Sequence, residues 1–561
     1  MNIVKRDYTR HLLLMSVLLF IQIAAYAIPA MPGQRRVLEL ADGSTVTALL
    51  VGDEFGHYWY GENGIAYVSE GDAFIPVDVN SFNAKSRARR NASNRNREAR
   101  LAMTRGVSDG VSGISGQKKG LIILVNFQDV QFKAGHDKDL YQKVANEKNY
   151  TEGKYKGSVY DYFYDQSEGQ FELTFDVVGP VTLSNDVAYY GKNIDNHDIR
   201  AAEMVIEALH MVDSIVNFAD YDWDGDFYVD QVYVLYAGKG EANGGATKTI
   251  WPQEWDLYSA KEEYNDGSGP QVLDARIVNT YACSCELNGA GGLDGIGTIC
   301  HEFSHCLGFP DAYDIDYSGG QGMFIWDIMS DGSYNGSGFQ PTGYTSFERW
   351  AAGWKTPIEL SATTNVNGMK ALQDGGDAYV IYNKGNRDEF FLLENRQKTG
   401  WDEKLPGAGL LILHIDYDQS VWISNQPNDD PEHQRMTWIP ADNEYQYVMY
   451  NNQKYFTESG AANDPFPYDS INAFSATTTP AARFYNMNFD GTYNLDASIE
   501  NITQNADGTI SFYFRSLATG ISDIGLDTND TWYDLNGRSL PGAPSVKGIY
   551  LHNGKKHLKT E

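Results

Sequence analysis

The sequence predicts a β-rich protein in which an α+β domain is followed by a β-sandwich-like domain, with a smaller unit at each end. Its 561 residues are too many for one compact domain. Residues 121–127 form a continuous apolar run typical of a buried strand, and aromatic residues make up 13% of the chain. From residue 356 to residue 515, strand-like runs alternate with Gly, Asn and Asp turns every ~8–12 residues, which is the spacing of a β-sandwich.

The first 27 residues have the pattern of a secretory signal peptide. Lys5, Arg6 and Arg10 precede a short apolar run, and Ala25-Tyr26-Ala27 is a cleavage site of the A-x-A type. No later segment is apolar enough to span a bilayer, so we expect an exported chain without a transmembrane anchor. The formal net charge of -31 argues against nucleic acid as a partner.

Two segments follow the signal peptide. Residues 31–80 alternate apolar runs with turns such as Asp42-Gly43, which predicts a propeptide-like β-meander. Residues 81–116 are rich in Arg, Asn, Ser and Gly, so we expect a basic, flexible linker. An exposed Arg-rich tether is open to Arg-specific proteases, and we interpret it as the activation site of a precursor.

The most informative motif is His301-Glu302-Phe303-Ser304-His305, within a helix predicted over residues 295–307. Residues four apart lie about 40° apart around an α-helix and about 6 Å along it, so both imidazoles can bind one Zn²⁺. Glu302 lies about 100° away, close enough to act as a general base without being a ligand.

The residues after this helix predict a third zinc ligand. Gly308 can adopt the left-handed conformation that ends a helix, and Pro310 keeps the helix from resuming. Asp311 can then turn back towards the imidazoles and leave a fourth position for water, although Asp314 is also close. Met329 follows in a Gly-rich stretch and matches a tight turn that underlies the metal in other peptidases.

A second, acidic motif predicts a calcium site upstream of the helix. Its oxygen ligands alternate around a glycine turn, as in the first half of a calcium loop. Gln231 stands where an EF-hand has its closing Glu, so an acidic turn without a metal remains an alternative. The residues concerned are Asp220, Asp222, Asp224, Asp226 and Asp230.

The four cysteines, Cys283, Cys285, Cys300 and Cys306, leave two alternatives open. An exported chain can oxidise them, in which case one of the first pair would bridge to the helix. Otherwise they are buried free thiols.

The chain resembles the immune inhibitor A family of secreted metallopeptidases over roughly residues 35–515. The resemblance rests on residues 301–314 (HEFSHCLGFPDAYD) and 326–332 (WDIMSDG), with support from 119–132, 159–169 and 394–409. It implies a zincin (metzincin-like) catalytic domain over residues 117–355, followed by a β-rich domain over residues 356–516. It also implies a zymogen that binds zinc and often calcium, with His301, His305 and Asp311 as ligands and Glu302 as base.

The tail, residues 517–561, resembles the C-terminal sorting domain of type IX secretion cargo of Bacteroidetes, on the strings WYDLNGRSL and KGIYLHNGKK. This resemblance implies contact with the type IX secretion machinery and a location outside the cell or on the outer-membrane surface.

Together these features predict an endopeptidase acting on proteins or peptides through a zinc-activated water. In the precursor, Asp53 or Glu54 would occupy the position of that water, or the N-terminal unit would only shield the cleft.

The alternative function is a surface adhesin, binding glycan or protein, whose zinc is only structural. Glu302 argues against it, because a structural site needs no neighbouring base.

Overall fold

The computed structural model describes residues 30, 34–53, 56–70, 73–86, 88, 114–194, 197–264, 269–315, 318–450, 453–517, 532–534, 539–540, 542–546, 548–552 and 555–559. The predicted signal peptide, most of the predicted linker and Glu54 lie outside these residues. Within these ranges the protein is a strand-rich mixture of α and β structure. None of the helices found there combines the length and the apolar character needed to cross a bilayer.

The predicted N-terminal meander is confirmed as a five-stranded antiparallel sheet whose spatial order follows the chain. One face of this N-terminal sheet packs on Ala242 and Trp251, which belong to the following domain. Its strands are Arg35–Glu39, Thr45–Asp53, Gly56–Gly61, Ala66–Glu70 and Ala73–Val77.

A second sheet, the central sheet, has five strands. All neighbours are parallel except the first pair, in which the short edge strand runs antiparallel. Within the inner strands, the runs 121–125 and 232–237 are continuously apolar, as expected for a sheet that helices cover on both faces. In spatial order the strands are Gln253–Asp256, Thr280–Leu287, Val232–Lys239, Gly116–Asn126 and Phe171–Thr182.

Side chains of the central sheet alternate between two cores. Leu121 and Ile123 contribute to the core beneath helix Ala201–Val212. Ile122 and Leu124 face the opposite core, which includes the helix Gly297–Cys306. Further helices are Lys138–Asn146, Val159–Gln166, Val187–Tyr190, Leu257–Tyr264, Ser346–Ala351 and Gln419–Ile423.

Small sheets complete this part of the chain. Asn193–Ile194 pairs with His197–Asp198, and Arg276–Val278 lies between Tyr228–Val229 and Gln271–Leu273.

Downstream of residue 356, two larger sheets share one core. The other face of the first sheet, with Phe390 and Leu413, belongs to the same core as the helix Gly297–Cys306. The first sheet contains Ile358–Glu359, Tyr379–Tyr382, Glu389–Arg396, Gly409–Asp416 and Met436–Trp438, and the second contains Thr364–Met369, Ile510–Ser516, Ala497–Gln504 and Phe474–Ser475. The downstream part therefore shares a core with the helix that carries the His301–His305 motif.

The remaining strands lie near the end of the chain. Tyr447–Tyr450 and Gln453–Phe456 form a hairpin, and the tail has a four-stranded sheet of Ser539–Leu540, Trp532–Asp534, Gly548–His552 and Lys555–Lys559.

The four cysteines are free thiols, which is the second of the two alternatives that the sequence left open. All four are unbridged, and only Cys306 is not fully buried.

Candidate metal centre

Three side chains of the predicted zinc site come together in the structure. The Nε2 atoms of His301 and His305 are 3.2 Å apart, and Asp311 Oδ1 lies 3.1 Å from the first and 3.5 Å from the second. All three side chains are buried. His301 and His305 lie on helix Gly297–Cys306, called the ligand helix below. Gly308 ends it with a φ of 94°, the left-handed conformation that the sequence predicts, and so turns the chain towards Asp311.

Backbone carbonyls fix the orientation of both imidazoles. The Nδ1 atom of His301 lies 2.8 Å from the carbonyl oxygen of Ile328, and that of His305 lies 2.8 Å from the carbonyl oxygen of Phe309. A carbonyl oxygen can only accept, so each Nδ1 carries a proton and donates. In the neutral tautomer each Nε2 then presents a lone pair to the other ring and to Asp311.

These three atoms fit a zinc ion. Ligands about 2.0–2.1 Å from a tetrahedral Zn²⁺ are about 3.3 Å from one another, which is close to the distances here. Asp311 Oδ1 is buried and has no hydrogen-bond donor among the described residues. Three lone-pair atoms at this separation repel one another unless a cation lies between them.

Asp311 is held as an anion. Burial disfavours its ionised form, but when His305 and His301 are protonated, their positive charge and hydrogen bonds outweigh burial and hold the pKa of this carboxyl below its usual range. Asp314, the alternative third ligand, instead accepts hydrogen bonds from Ser318 Oγ, Gly319 N and Gly320 N at 2.8–2.9 Å. Burial raises the pKa of Asp314 to about 6. Its carboxyl shapes the loop and lies outside the three-residue group.

The turn at residues 327–332, which contains Met329, connects the ligands to one another. The carbonyl oxygen of Asp327 accepts from Gly332 N at 3.0 Å and closes the turn. Met329 is fully buried, and its carbonyl oxygen accepts from Ala312 N at 2.7 Å. Because the carbonyl oxygen of Ile328 also accepts from His301, this turn orients the His301 imidazole and holds the residue next to Asp311.

Glu302 is buried beside His301 but is not part of the ligand group. Its charge contributes, after burial, to the raised pKa of Tyr233 and Cys283, which lie on two strands of the central sheet. Its carboxylate therefore lies near the side chains of Tyr233 and Cys283 and outside the three-residue group.

The predicted calcium residues come together only in part. Carboxylate oxygens of Asp222, Asp224 and Asp226 lie within 4.8 Å of one another. Asp230 instead accepts from Trp223 N at 2.7 Å, and Asp220 lies 3.8 Å from Lys119 Nζ. Arg276 Nε contacts Asp222 Oδ2 at 2.6 Å. A cation at this turn would therefore have three of the five predicted ligands, one of them shared with an arginine.

The N-terminal sheet meets the central sheet beside its edge strand. His57 is buried, with Nε2 3.2 Å from Glu241 Oε1 and its ring stacked 4.2 Å from that of Trp251. Trp251 lies two residues before the edge strand Gln253–Asp256, which contacts the ligand helix. Asp53 is buried at the end of its strand, and its carboxylate is not among the atoms gathered at His301. The N-terminal sheet therefore contacts the following domain at Glu241 and Trp251.

Part of the chain is similar to known peptidases. Residues 111–356 match the immune inhibitor A peptidase M6 catalytic domain. This M6 segment contains His301, Glu302, His305, Asp311 and Met329.

Two relatives share part of the sequence. The pre-pro-metalloprotease PrtV of Vibrio cholerae is 29% identical over 277 residues, covering 42% of this chain and 30% of that protein. Immune inhibitor A of Bacillus thuringiensis subsp. alesti is 27% identical over 292 residues, covering 43% and 41%. The chain therefore spans less than half the length of either relative.

One contact of the site lies outside the M6 segment and was missed in the sequence. Asn425 contacts both the backbone and the carboxylate of Asp311. It lies 114 residues further along the chain, in a stretch without a recognisable motif. No signal in a single sequence would have identified it.

Proposed function

We propose that this protein is a zinc-dependent endopeptidase, made as a zymogen and exported. The observation that carries the proposal is the group of three lone-pair atoms from His301, His305 and Asp311 at the spacing of tetrahedral zinc ligands. The match of the M6 segment to a peptidase family supports the proposal. So do the names of the two relatives, a pre-pro-metalloprotease and an immune inhibitor A.

The proposed mechanism assigns each side chain one task. His301, His305 and Asp311 would hold the metal, and the carbonyls of Ile328 and Phe309 keep the imidazoles in the binding tautomer. Zinc, when bound, acidifies water and polarises a peptide carbonyl. The carboxylate of Glu302 takes a proton from the attacking water and returns it to the leaving amine.

The organisation of the chain follows from the same proposal. One antiparallel edge strand on a parallel sheet, the ligand helix and the methionine turn support a zincin-like catalytic domain over residues 117–355. The two downstream sheets support a β-sandwich-like domain over residues 356–516. We also propose that residues 1–27 direct export, that residues 81–116 are cleaved on activation, that residues 517–561 engage the type IX secretion machinery, and that calcium binds near Asp222.

The decisive experiment is hydrolysis of casein by the trypsin-nicked protein before and after removal of metal with 1,10-phenanthroline. We expect activity to disappear with the metal and to return with stoichiometric zinc. Tight zinc binding without any hydrolysis of casein or of a peptide library would contradict the proposal. That result would favour the adhesin, in which zinc is only structural.

A further inference from the structure

The loop that carries Asp311 is held by amide side chains from the downstream domain. Asn428 Nδ2 donates to the carbonyl oxygen of Ala312 at 2.8 Å, and Gln434 Oε1 accepts from Gly322 N at 2.7 Å. Asn425 makes the contact nearest the metal group. Its Oδ1 accepts from Asp311 N, and its Nδ2 donates to Asp311 Oδ2, both at 2.6 Å.

The orientation of the Asn425 amide follows from its partners. The backbone N–H of Asp311 can only donate, so the amide atom facing it is the oxygen. The amide nitrogen therefore faces the carboxylate. Because Asp311 Oδ2 is occupied in this way, only Oδ1 is available to face His301 and His305.

We propose that Asn425 is a positioning residue for the zinc site, through which the downstream domain completes the metal centre of the M6 segment. The inference rests on the proposed zinc function. A carboxylate that can rotate loses conformational freedom when it binds a metal, whereas a carboxylate already hydrogen-bonded on its outer oxygen does not. Outer-shell partners of this kind typically contribute 10–100-fold to metal affinity.

The backbone at Asn425 restricts which residues suit this position. Its φ is 56°, in the left-handed region, just after helix Gln419–Ile423, and its N–H donates to the carbonyl oxygen of Trp422 at 3.1 Å. Asn and Gly tolerate this conformation better than most residues. Asn425→Gly therefore removes the side chain with little backbone strain, and Asn425→Asp keeps the size but replaces the donor with a second carboxylate.

Asn428 provides a matched control for both variants. It is buried like Asn425 and donates to the same loop, but it contacts the backbone of Ala312 and not the ligand carboxylate. Asn428→Asp makes the same chemical change without touching Asp311.

The test measures the zinc dissociation constant of the full chain by chelator competition, together with the visible spectrum of the Co²⁺-substituted protein. We expect Asn425→Gly and Asn425→Asp to weaken zinc binding 10–100-fold and to alter the Co²⁺ spectrum. Asn428→Asp should change the affinity less than threefold. If one Asn425 variant fails to fold, the other decides.

Unchanged zinc affinity in either folded Asn425 variant would overturn the inference. An equal loss in Asn428→Asp would overturn it too, since the effect would then come from the loop as a whole. These results on zinc affinity can be told apart from a failure of the proposed peptidase function. A wild-type protein that binds zinc in this Asn425-dependent way but hydrolyses nothing would contradict only the peptidase.

Discussion

The indole Nε1 of Trp326 donates a 3.0 Å hydrogen bond to Asp464 Oδ2, and so joins the residue before the methionine turn to the downstream domain. Burial raises the pKa of Asp464 to about 7. The usual aspartate pKa is about 3.9, so between about pH 4 and pH 7 the folded protein keeps a proton that the unfolded chain has released. Stability therefore falls as the pH rises through this window.

Asp464→Asn removes this dependence because an amide does not titrate. We expect the stability of the variant relative to the wild type to rise by about 4 kcal/mol as the pH increases from 4 to 8. Thermal melts across this range measure the difference. Asp507, on an exposed turn, is the control, and Asp507→Asn should show no such gain. A constant difference between Asp464→Asn and the wild type would mean that Asp464 is ionised in the folded protein.

Replacing Glu302 separates chemistry from metal binding. Because Glu302 lies outside the ligand group, we expect Glu302→Gln to retain one zinc per chain. Hydrolysis should fall by about 10²–10⁴-fold, which is the usual contribution of a general base. Zinc content and casein turnover are measured on the same preparation. Near-normal turnover in this variant would show that another group takes the proton.

Asp311 and Asp314 make a matched pair on one loop. Asp311→Ala removes an atom of the metal group, so we expect zinc to be lost on dialysis, as in His305→Ala. Asp314→Ala removes the acceptor for two backbone N–H groups and should lower thermal stability while zinc remains bound. The opposite order of zinc retention would identify Asp314 as the ligand.

The latency hypothesis is tested with intact and trypsin-nicked precursor on a quenched peptide. We expect only nicked protein to be active. Since Asp53 does not join the metal group, the Asp53→Ala precursor should still be silent. His57→Ala leaves Glu241 buried without this partner and should make the N-terminal sheet more susceptible to proteolysis. Equal activity of intact and nicked wild type would remove latency altogether.

The acidic turn predicts a calcium-dependent stability. We expect added Ca²⁺ to raise the melting temperature of the wild type, and Asp224→Asn to abolish most of this rise, because Asp224 is one of the three carboxylates that converge. Asp230→Asn is the control, since the Asp230 carboxylate is not one of the three that converge and accepts from the backbone N–H of Trp223. An equal response to Ca²⁺ in wild type and Asp224→Asn would exclude this turn as the site.

Local parts of the fold and the site could be predicted from the sequence. The ligand helix, its end at Gly308 and helix Ala201–Val212 follow from residue spacing over one or two turns. The convergence of Asp311 on the imidazoles depends on the same short stretch of chain. Spacing alone could not choose between Asp311 and Asp314, because that depends on where the loop's N–H groups point.

Long-range contacts could not be predicted. The partners His57 and Glu241, Trp326 and Asp464, and Asn425 and Asp311 meet only because sheets from separate parts of the chain pack on common cores. A buried polar pair of this kind leaves no periodic pattern in a sequence. The partial dispersal of the predicted calcium residues has the same origin at Asp220, which lies beside Lys119 from a distant strand, whereas Asp230 accepts from the backbone N–H of Trp223 within the same turn.

The contact between Asn425 and Asp311 also bears on the order of events during synthesis. Translation proceeds from the N-terminus, so the N-terminal sheet and the two histidines leave the ribosome well before Asn425, which follows Asp311 by 114 residues. Until that residue emerges, the nascent chain lacks the amide that contacts the Asp311 carboxylate. The N-terminal sheet and the residues on which it packs, Glu241 and Trp251, are therefore synthesised before the last contact of the proposed metal site.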